Sequence, residues 1–435
     1  NMMYPRLKLA RNLLKEDGVI FISIDDHEVE NLKKICNEIF GEENFVATLI
    51  RQTRKGGGSM SRYISTDHDY ILLFAKNLSN LKRFYIPYDK KYIKRYNETD
   101  DKGRYFWDTF ARNRQGSSNF YTITAPDGEK LTNAWIYKED KFKNLFHNNE
   151  IRFKKLKKGW SVQVKQRINN EGQIMRSLIT DCTNEYGTKS INELIGKEVF
   201  TYAKPSELIK HLIKSLGNSK EIVLDFFSGS STTAQGIFEF NNDENFNHSF
   251  IMVQLPEPTD EKSKAFKSGY DNICRIGKER IRRAGDKIVE ESGNKDLDIG
   301  FKVFKLDSSN LEKWDPDYKE DIKQTLLTSK TNIKENRSSE DLVYEIMLKY
   351  GINLTLPIEE YELEGNVIYS VGYGALLICL DNKITTSIID SILKLKEDFE
   401  VIRVVFKDNG FASDSDKTNI KESLKVNNID EFITI

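Results

Sequence analysis

The fold is decided by the stretch 221–233, which reads Glu221-Ile222-Val223-Leu224-Asp225-Phe226-Phe227-Ser228-Gly229-Ser230-Ser231-Thr232-Thr233. Its first seven residues, apolar except for Glu221 and Asp225, predict a buried strand. Small residues follow, and the chain from 234 to 240 begins like a helix. This order directs backbone N–H groups and a helix N-terminus at an anionic or polar ligand. A plain turn between a strand and a helix is an equally good interpretation of the local pattern.

Two familiar nucleotide-binding signatures are absent from the sequence. It contains neither the G-x-x-x-x-G-K-[ST] pattern that cradles nucleotide phosphates nor the G-x-G-x-x-G pattern of dinucleotide sites. The small-residue loop is therefore disfavoured as either kind of site.

The segments on both sides of this stretch predict an α/β protein. Near the N-terminus the pattern predicts a helix that stops at Gly18, a buried strand at 19–24 of the kind found in parallel sheets, and a second helix closed by Gly41. Further strands are predicted at 69–76 and 249–255. From 367 to 435 the pattern alternates strand, helix, strand, helix and strand, which indicates a separate small domain.

The net charge of -1 conceals two oppositely charged segments. Residues 82–176 carry 22 Lys and Arg against 11 Asp and Glu, a net charge of +11, whereas residues 286–435 carry 19 against 30, a net charge of -11. A basic segment is one signature of a surface that meets phosphate, and an acidic segment would repel it. Aromatic residues recur among the basic ones without a helical period, so we expect an irregular inserted domain with short strands.

Cysteine and histidine spacing predicts no metal site. The four cysteines form no C-x-x-C pair, and the five histidines show no metal-binding spacing. The longest apolar runs are too short for a membrane helix, and the first residues do not resemble a signal peptide. We therefore expect a cytoplasmic protein with no membrane partner.

Three segments carry a resemblance to a known family. Residues 225–233 resemble motif I of the amino-directed DNA methyltransferases, the loop that holds S-adenosylmethionine, although the usual loop has glycine where this chain has Ser231. Residues 200–205 resemble motif X, which lines the methionine end of the cofactor, and 250–257 resemble the strand that reaches its ribose or adenine. The resemblance implies these cofactor-binding residues: Tyr202, Lys204, Pro205, Asp225, Phe226, Phe227, Ser228, Gly229, Ser230, Thr232, Gln254 and Glu257.

Further segments extend the resemblance to the type III restriction-modification branch. Residues 2–10 and 17–26 look like the segment that follows the catalytic motif in type III modification subunits, and 67–76 look like the strand before their target-recognition domain. The resemblance implies a Rossmann-like methyltransferase sheet with an inserted recognition domain and a small C-terminal α/β domain. The implied segments are 1–77 (first methyltransferase part), 78–195 (recognition insert), 196–305 (cofactor-binding part) and 306–435 (C-terminal domain, for dimer or restriction-subunit contact).

The same resemblance implies what the protein acts on. The family reaction is methyl transfer from S-adenosylmethionine to adenine N6 in double-stranded DNA, by a modification subunit that forms a homodimer and recruits an ATP-dependent restriction (Res) subunit. Basic residues of the first loop and of the insert are the candidates for DNA contact. They are Arg51, Arg54, Lys55, Arg112, Arg114, Lys154, Lys155, Lys157 and Lys158. A basic helix from about 270 to 284, which includes Arg280, is either a solvated face or a further phosphate contact.

The catalytic tetrapeptide of the family, Asp-Pro-Pro-Tyr, does not occur in the sequence. The eight prolines include no adjacent pair, and we interpret Asp315-Pro316-Asp317-Tyr318 as a surface turn. We therefore assign no catalytic residue, and we expect a truncated product whose catalytic motif precedes Asn1 and which transfers no methyl group alone. The alternatives are a non-catalytic DNA-specificity subunit that binds S-adenosylmethionine, DNA and a partner, and a solitary methyltransferase without a restriction partner.

Overall fold

The protein divides into two compact units, Asn1–Ile299 and Gly300–Ile435. A computed structural model describes residues 2–56, 62–86, 88, 90–112, 119–157, 159–216, 220–312, 333–334 and 336–435. The expected surface turn at 315–318 lies outside these described residues. The division at 299/300 falls close to the predicted start of the C-terminal domain at 306.

The first unit begins with a four-stranded sheet. Its elements are α1 (Met3–Leu13), β1 (Val19–Ile24), α2 (Val29–Phe40), β2 (Phe45–Gln52), β3 (His68–Ala75) and β12 (Leu178–Ile179). The strand order is β1-β3-β2-β12, and β1 pairs antiparallel with β3. The expectation of a parallel, fully buried strand at 19–24 was therefore wrong, because β1 lies at one end of the order and is only half-buried.

The recognition insert predicted at 78–195 consists largely of short strands. Its strands are β4 (Tyr85–Ile86), β5 (Glu98–Asp100), β6 (Gly103–Thr109), β7 (Phe120–Thr124), β8 (Lys130–Ala134), β9 (Ile151–Leu156), β10 (Gly159–Arg167) and β11 (Gln173–Ile174); its helices are α3 (Lys90–Ile93) and α4 (Glu139–His147). A sheet of order β5-β6-β10-β9 packs its buried face around Phe110, Trp135 and Phe142. Aromatic residues thus build the core of this segment.

The remainder of the first unit carries the loop predicted to bind a ligand. Its elements are α5 (Asn184–Leu194), α6 (Ser206–Ile213), β13 (Ile222–Asp225), α7 (Thr232–Glu244), β14 (Ser249–Met252), α8 (Lys264–Lys267) and α9 (Ile273–Ser292). β13 and β14 pair in parallel, as expected of a strand-loop-helix-strand unit, with Val223 and Phe250 packed on Ile237 of α7. β13 ends at Asp225, two residues before the end of the apolar run, because the Asp225 carboxylate accepts a hydrogen bond from the Phe227 N–H and turns the chain there.

The second unit is a five-stranded sheet with helices. Its elements are α10 (Ser339–Lys349), β15 (Ile358–Leu363), β16 (Asn366–Val371), β17 (Leu376–Cys379), α11 (Ile388–Asp398), β18 (Arg403–Phe406), α12 (Asp414–Val426) and β19 (Glu431–Thr434). The alternation predicted from 367 onward is confirmed, with 367–379 split into a hairpin of two strands. β15 was not predicted, because three of its six residues are glutamates and its apolar residues, Ile358, Tyr361 and Leu363, do not keep a two-residue period. In the part of the chain that the structure describes, no helix is long and apolar enough to cross a membrane.

Candidate cofactor-binding site

Asp225 closes the loop between β13 and α7. Its Oδ1 accepts a hydrogen bond from the Phe227 N–H at 3.1 Å, and its Oδ2 accepts one from the Thr233 hydroxyl at 2.6 Å. One carboxylate therefore ties the end of the strand to the first turn of the helix. This placement explains why an acidic residue stands at the end of an otherwise apolar strand.

The centre of the loop is held by the two residues that follow β14. Gly229 donates its N–H to Gln254 Oε1 at 2.8 Å, and the Ser228 N–H donates to the Val253 carbonyl at 3.3 Å. Gly229 and Ser231 have φ angles of 51° and 59°, in the left-handed region that favours glycine. Ser231 is thus a non-glycine residue at a position that demands a left-handed backbone, which explains why the usual family loop has glycine there.

The 200–205 segment, which leads into α6, lies in the same region. Lys204 Nζ donates to Asp69 Oδ2 at 3.3 Å, and Pro205 precedes the first residue of α6. Burial lowers the pKa of Lys204, although the charge of Asp69 opposes this effect. Burial alone would raise the pKa of Asp69, but hydrogen bonds from Arg51 and the charge of Lys204 lower it. Lys204 and Asp69 therefore form an ion pair at the edge of the site.

A cavity of about 1430 Å³ brings most of the predicted cofactor residues together. It lies between β1 on one side and β13 with its loop on the other. The predicted residues that line it are Tyr202, Lys204, Asp225, Phe226, Phe227, Ser228, Gly229, Ser230 and Thr232. Three predicted residues do not line the cavity. Gln254 accepts a hydrogen bond from the Gly229 N–H and so contacts the loop itself, whereas Glu257 is exposed and Pro205 is buried. Ligand sites are typically about 300 to 1,000 Å³, so this cavity has room for more than one small ligand.

A buried arginine behind the loop was not predicted to have a role there. Arg280 of α9 is completely buried, which excludes a solvated position or a phosphate contact for this residue, whereas Arg275 and Arg282 of the same helix are exposed. Its guanidinium donates to the hydroxyls of Ser230 and Thr232 and to the side-chain carbonyl of Gln235. Its position in the sequence was informative: it lies four residues from both Ile276 and Ala284, on the apolar face of the helix.

Arg51 was predicted to contact DNA, and the structure corrects this. Only 1% of the residue is exposed, and its guanidinium donates to both carboxylate oxygens of Asp69, to the Cys182 carbonyl and to Asn184 Oδ1. A guanidinium engaged on every side by internal acceptors is not available to a phosphate. Arg51 instead joins β2 and β3 to the chain that leaves the insert.

The other candidate DNA contacts are less uniform. Arg54 and Lys55 are about half exposed and pair with Asp67 and Asp181. Lys155 pairs with Asp127 and lies over the ring of Trp160. The remaining described candidates, Arg112, Lys154 and Lys157, are exposed, whereas Arg114 and Lys158 lie outside the described residues. Across the described ranges, no group of three His, Cys, Asp or Glu side chains is arranged to hold a metal ion.

Comparison with known proteins supplies the family. A family model described as DNA methylase, for N6 and N4 amino methylation, matches residues 1–257. The chain belongs to this DNA methylase family. The match covers more than half of the chain and includes the loop at 225–233.

Curated relatives place the chain near the type III branch. It is 35% identical over 313 residues to the type III restriction-modification enzyme StyLTI Mod subunit of Salmonella typhimurium, across 70% of this chain and 48% of that one. It is 29% identical to the EcoPI Mod subunit of Escherichia phage P1, across 97% of this chain and 70% of that one. The resemblance to type III modification subunits is therefore confirmed. The chain spans about half the length of the Salmonella relative.

A solved structure in the same comparison is more distant. A DNA modification methylase of Thermus thermophilus, complexed with S-adenosyl-L-methionine, aligns with 67% of this chain and 77% of that chain at 11% identity. Its TM-score of 0.30 is too low to support a structural argument.

Proposed function

We propose that this chain binds S-adenosylmethionine in the cavity beside the 225–233 loop. One observation carries the proposal: the Asp225 carboxylate accepts hydrogen bonds from the Phe227 N–H and the Thr233 hydroxyl. These bonds shape a loop of small residues that faces a large cavity. The residues that would hold the cofactor are Tyr202, Lys204, Asp225, Phe226, Phe227, Ser228, Gly229, Ser230 and Thr232, with Gln254 supporting the loop. Pro205 and Glu257, which the sequence resemblance also implies, do not line the cavity.

The chemistry of the cavity fits this ligand. The Lys204 ammonium matches the carboxylate of the methionine end, and the loop's small side chains leave room for the main chain to approach the ligand. S-adenosylmethionine supplies an electrophilic methyl group on its sulfonium. The cavity is larger than one ligand needs. The remaining space suits a nucleotide extruded from the duplex, because enzymes that act on a base must take it out of the stack.

We propose that the complete activity is adenine-N6 methylation of double-stranded DNA by the modification subunit of a type III restriction-modification system, in the cytoplasm. Its Mod relatives and the basic 82–176 segment support this proposal. The exposed cations Arg54, Lys55, Arg112, Lys154, Lys155 and Lys157 are the proposed phosphate contacts. The acidic second unit suits a protein partner better than DNA, so we assign it to homodimer or Res-subunit contact.

A second candidate is a DNA-specificity subunit that binds the cofactor and DNA but transfers no methyl group. It is favoured by the lack of adjacent prolines in these 435 residues. Both candidates predict that these 435 residues, which lack Asp-Pro-Pro-Tyr, transfer no methyl group alone. Incubation of the chain with tritiated S-adenosylmethionine and DNA therefore tests the second candidate through a positive result. Transfer of label to adenine would exclude the second candidate.

Isothermal calorimetry with S-adenosylmethionine tests the cofactor proposal. We expect binding by the wild-type chain and at least about tenfold weaker binding by Asp225→Ala, since hydrogen bonds to a charged group contribute about 1.5 to 3 kcal/mol. Asp243→Ala is the matched control, because Asp243 is a half-exposed acid on α7 that pairs with Lys210. Equal binding by both variants would contradict the proposal.

A further inference from the structure

Among the residues that the structure describes, no carboxylate forms an ion pair with the buried guanidinium of Arg280. Its Nε donates to Gln235 Oε1 at 2.9 Å, and its Nη1 donates to the hydroxyls of Ser230 and Thr232 at 2.8 and 2.6 Å. Burial lowers the pKa of Arg280 to about 10, against the opposing charge of Glu239. Burying an ionised group is costly unless hydrogen bonds and charges compensate. The compensation here comes mainly from two hydroxyls of the proposed cofactor loop and from Gln235.

Gln235 connects Arg280 by hydrogen bonds to a second segment. Its side-chain N–H group donates to Glu239 Oε1 at 2.8 Å, and the same oxygen accepts a hydrogen bond from the Ser206 hydroxyl at 3.0 Å. Ser206 begins α6 directly after Lys204 and Pro205. A continuous path of hydrogen bonds therefore runs from the loop through Arg280, Gln235 and Glu239 to the 204–206 segment. We name this path the Arg280 network.

The Arg280 network lies behind the proposed cofactor site. The cavity is lined by Ser230, Thr232 and Lys204, but not by Arg280, Gln235, Glu239 or Ser206. A guanidinium presents donors in a rigid planar fork, whereas a lysine ammonium is a single point charge. An arginine at this position can bind two hydroxyls and an amide together, which fixes the loop relative to the network.

We infer that Arg280 is a positioning residue that holds the 228–233 loop and the 204–206 segment in one arrangement for an adenosyl ligand that spans both. This inference rests on the proposed function, because it concerns the same cavity. A ligand that contacts only the loop does not depend on the position of the 204–206 segment, whereas a ligand that also reaches Lys204 depends on the relative position of both. Arg280 therefore affects binding of the two kinds of ligand unequally.

The test compares S-adenosylmethionine with adenosine, which lacks the methionine end. Dissociation constants are measured by calorimetry for wild type, Arg280→Lys, Ser206→Ala and the control Arg282→Lys, an exposed arginine on the same helix. We expect Arg280→Lys to weaken S-adenosylmethionine about tenfold and adenosine less than about threefold, as the loss of charge-assisted hydrogen bonds implies. Ser206→Ala, which leaves the buried charges in place, should shift the ratio of the two affinities in the same direction.

The outcomes separate this inference from the proposed function. Unchanged affinities in Arg280→Lys and Ser206→Ala, or equal weakening of both ligands, would overturn the positioning role while the wild type still binds. A lower melting temperature with an unchanged ratio of affinities would assign Arg280 to stability alone and would also overturn it. Failure of the wild-type chain to bind S-adenosylmethionine would overturn the proposed function together with this inference. If Arg280→Lys does not fold, the ratio measured for Ser206→Ala decides.

Discussion

Gly277 of α9 faces the Ser231 hydroxyl so closely that a Cβ on Gly277 would lie 2.6 Å from Ser231 Oγ. The next nearest atom, the Gly229 carbonyl oxygen, would be 3.3 Å away. Ser231 is itself buried and has a left-handed backbone. The residue that departs from the usual glycine of the loop thus occupies the space that a side chain at 277 would need.

This contact predicts a rescue between two substitutions. Gly277→Ala should lower the free energy of unfolding by up to about 2 kcal/mol, since overpacking costs about 1 to 3 kcal/mol and the higher helix propensity of alanine offsets about 1 kcal/mol of that cost. Ser231→Gly removes the obstructing hydroxyl, so most of the loss should disappear in the double variant. Urea unfolding of the wild type, both single variants and the double variant measures the coupling. Strictly additive losses would contradict the contact.

Arg51 and Asp69 give a second prediction. Arg51→Gln should lower the free energy of unfolding by about 3 to 5 kcal/mol, because it breaks a buried ion pair and leaves Asp69 without its main partner. The matched control is Arg54→Gln, whose arginine is half exposed and pairs with Asp67. Chemical unfolding of both variants is the measurement. An Arg51→Gln chain of normal stability but with weakened DNA binding would restore the phosphate role.

Exposed lysines on the insert should contribute to DNA binding. Replacing Lys154 and Lys157 together by glutamate should weaken binding to duplex DNA and reduce the slope of log K against log salt by about 1 for each phosphate that is no longer neutralised. The control is Lys421→Glu, an exposed lysine on α12 in the acidic second unit. Fluorescence anisotropy across a salt series measures both quantities. An unchanged slope in the insert variant, or an equal change in the control, would argue against this surface.

The insert should depend on pH through Asp100. Hydrogen bonds from Arg167 and then Lys165 hold the pKa of Asp100 well below its usual range. Because the folded pKa is depressed, the carboxylate stabilises the fold above the unfolded pKa of about 3.9, and this stabilisation is lost as pH falls through and below that value. Asp100→Asn should therefore be less stable than wild type near neutral pH, and the difference should shrink below about pH 4.

Tryptophan fluorescence is a suitable measurement, because Trp107, Trp135 and Trp160 all lie in the insert and the chain has four tryptophans. The control is Asp101→Asn, which alters the exposed neighbouring residue. A difference between Asp100→Asn and wild type that does not change with pH would show that the ion pair is not its source.

The sequence predicted the positions of helices and strands better than it predicted which strands pair with one another. The 225–233 loop was found because an apolar strand, small residues and a helix start are adjacent in the chain, and each depends on local backbone preferences. The antiparallel pairing of β1 with β3 was not found, since pairing joins residues about fifty positions apart. Strand β15 was missed because it carries glutamates on both faces.

The site residues divide in the same way. Asp225 and Gly229 were implied by the resemblance of the loop to motif I, and the structure brings them to one cavity with Lys204. Arg51 and Arg280 were misread because a lone arginine in a basic stretch gives no sign of its partners. Their acceptors, Asp69 and Cys182 for Arg51 and Ser230 and Gln235 for Arg280, come from other parts of the chain. The position of Arg280 on the apolar face of α9 indicated its burial, but only the folded chain shows which acceptors the two guanidinium groups contact.

The central claim is that the 225–233 loop binds S-adenosylmethionine. Ultraviolet crosslinking of methyl-tritiated S-adenosylmethionine to the intact chain, followed by peptide mapping, tests it most directly. We predict that the label is found in the peptide containing Phe226 and Phe227 or in the one containing Tyr202, and that excess unlabelled S-adenosylmethionine prevents labelling. Label confined to other peptides, or labelling that unlabelled cofactor does not reduce, would contradict the account.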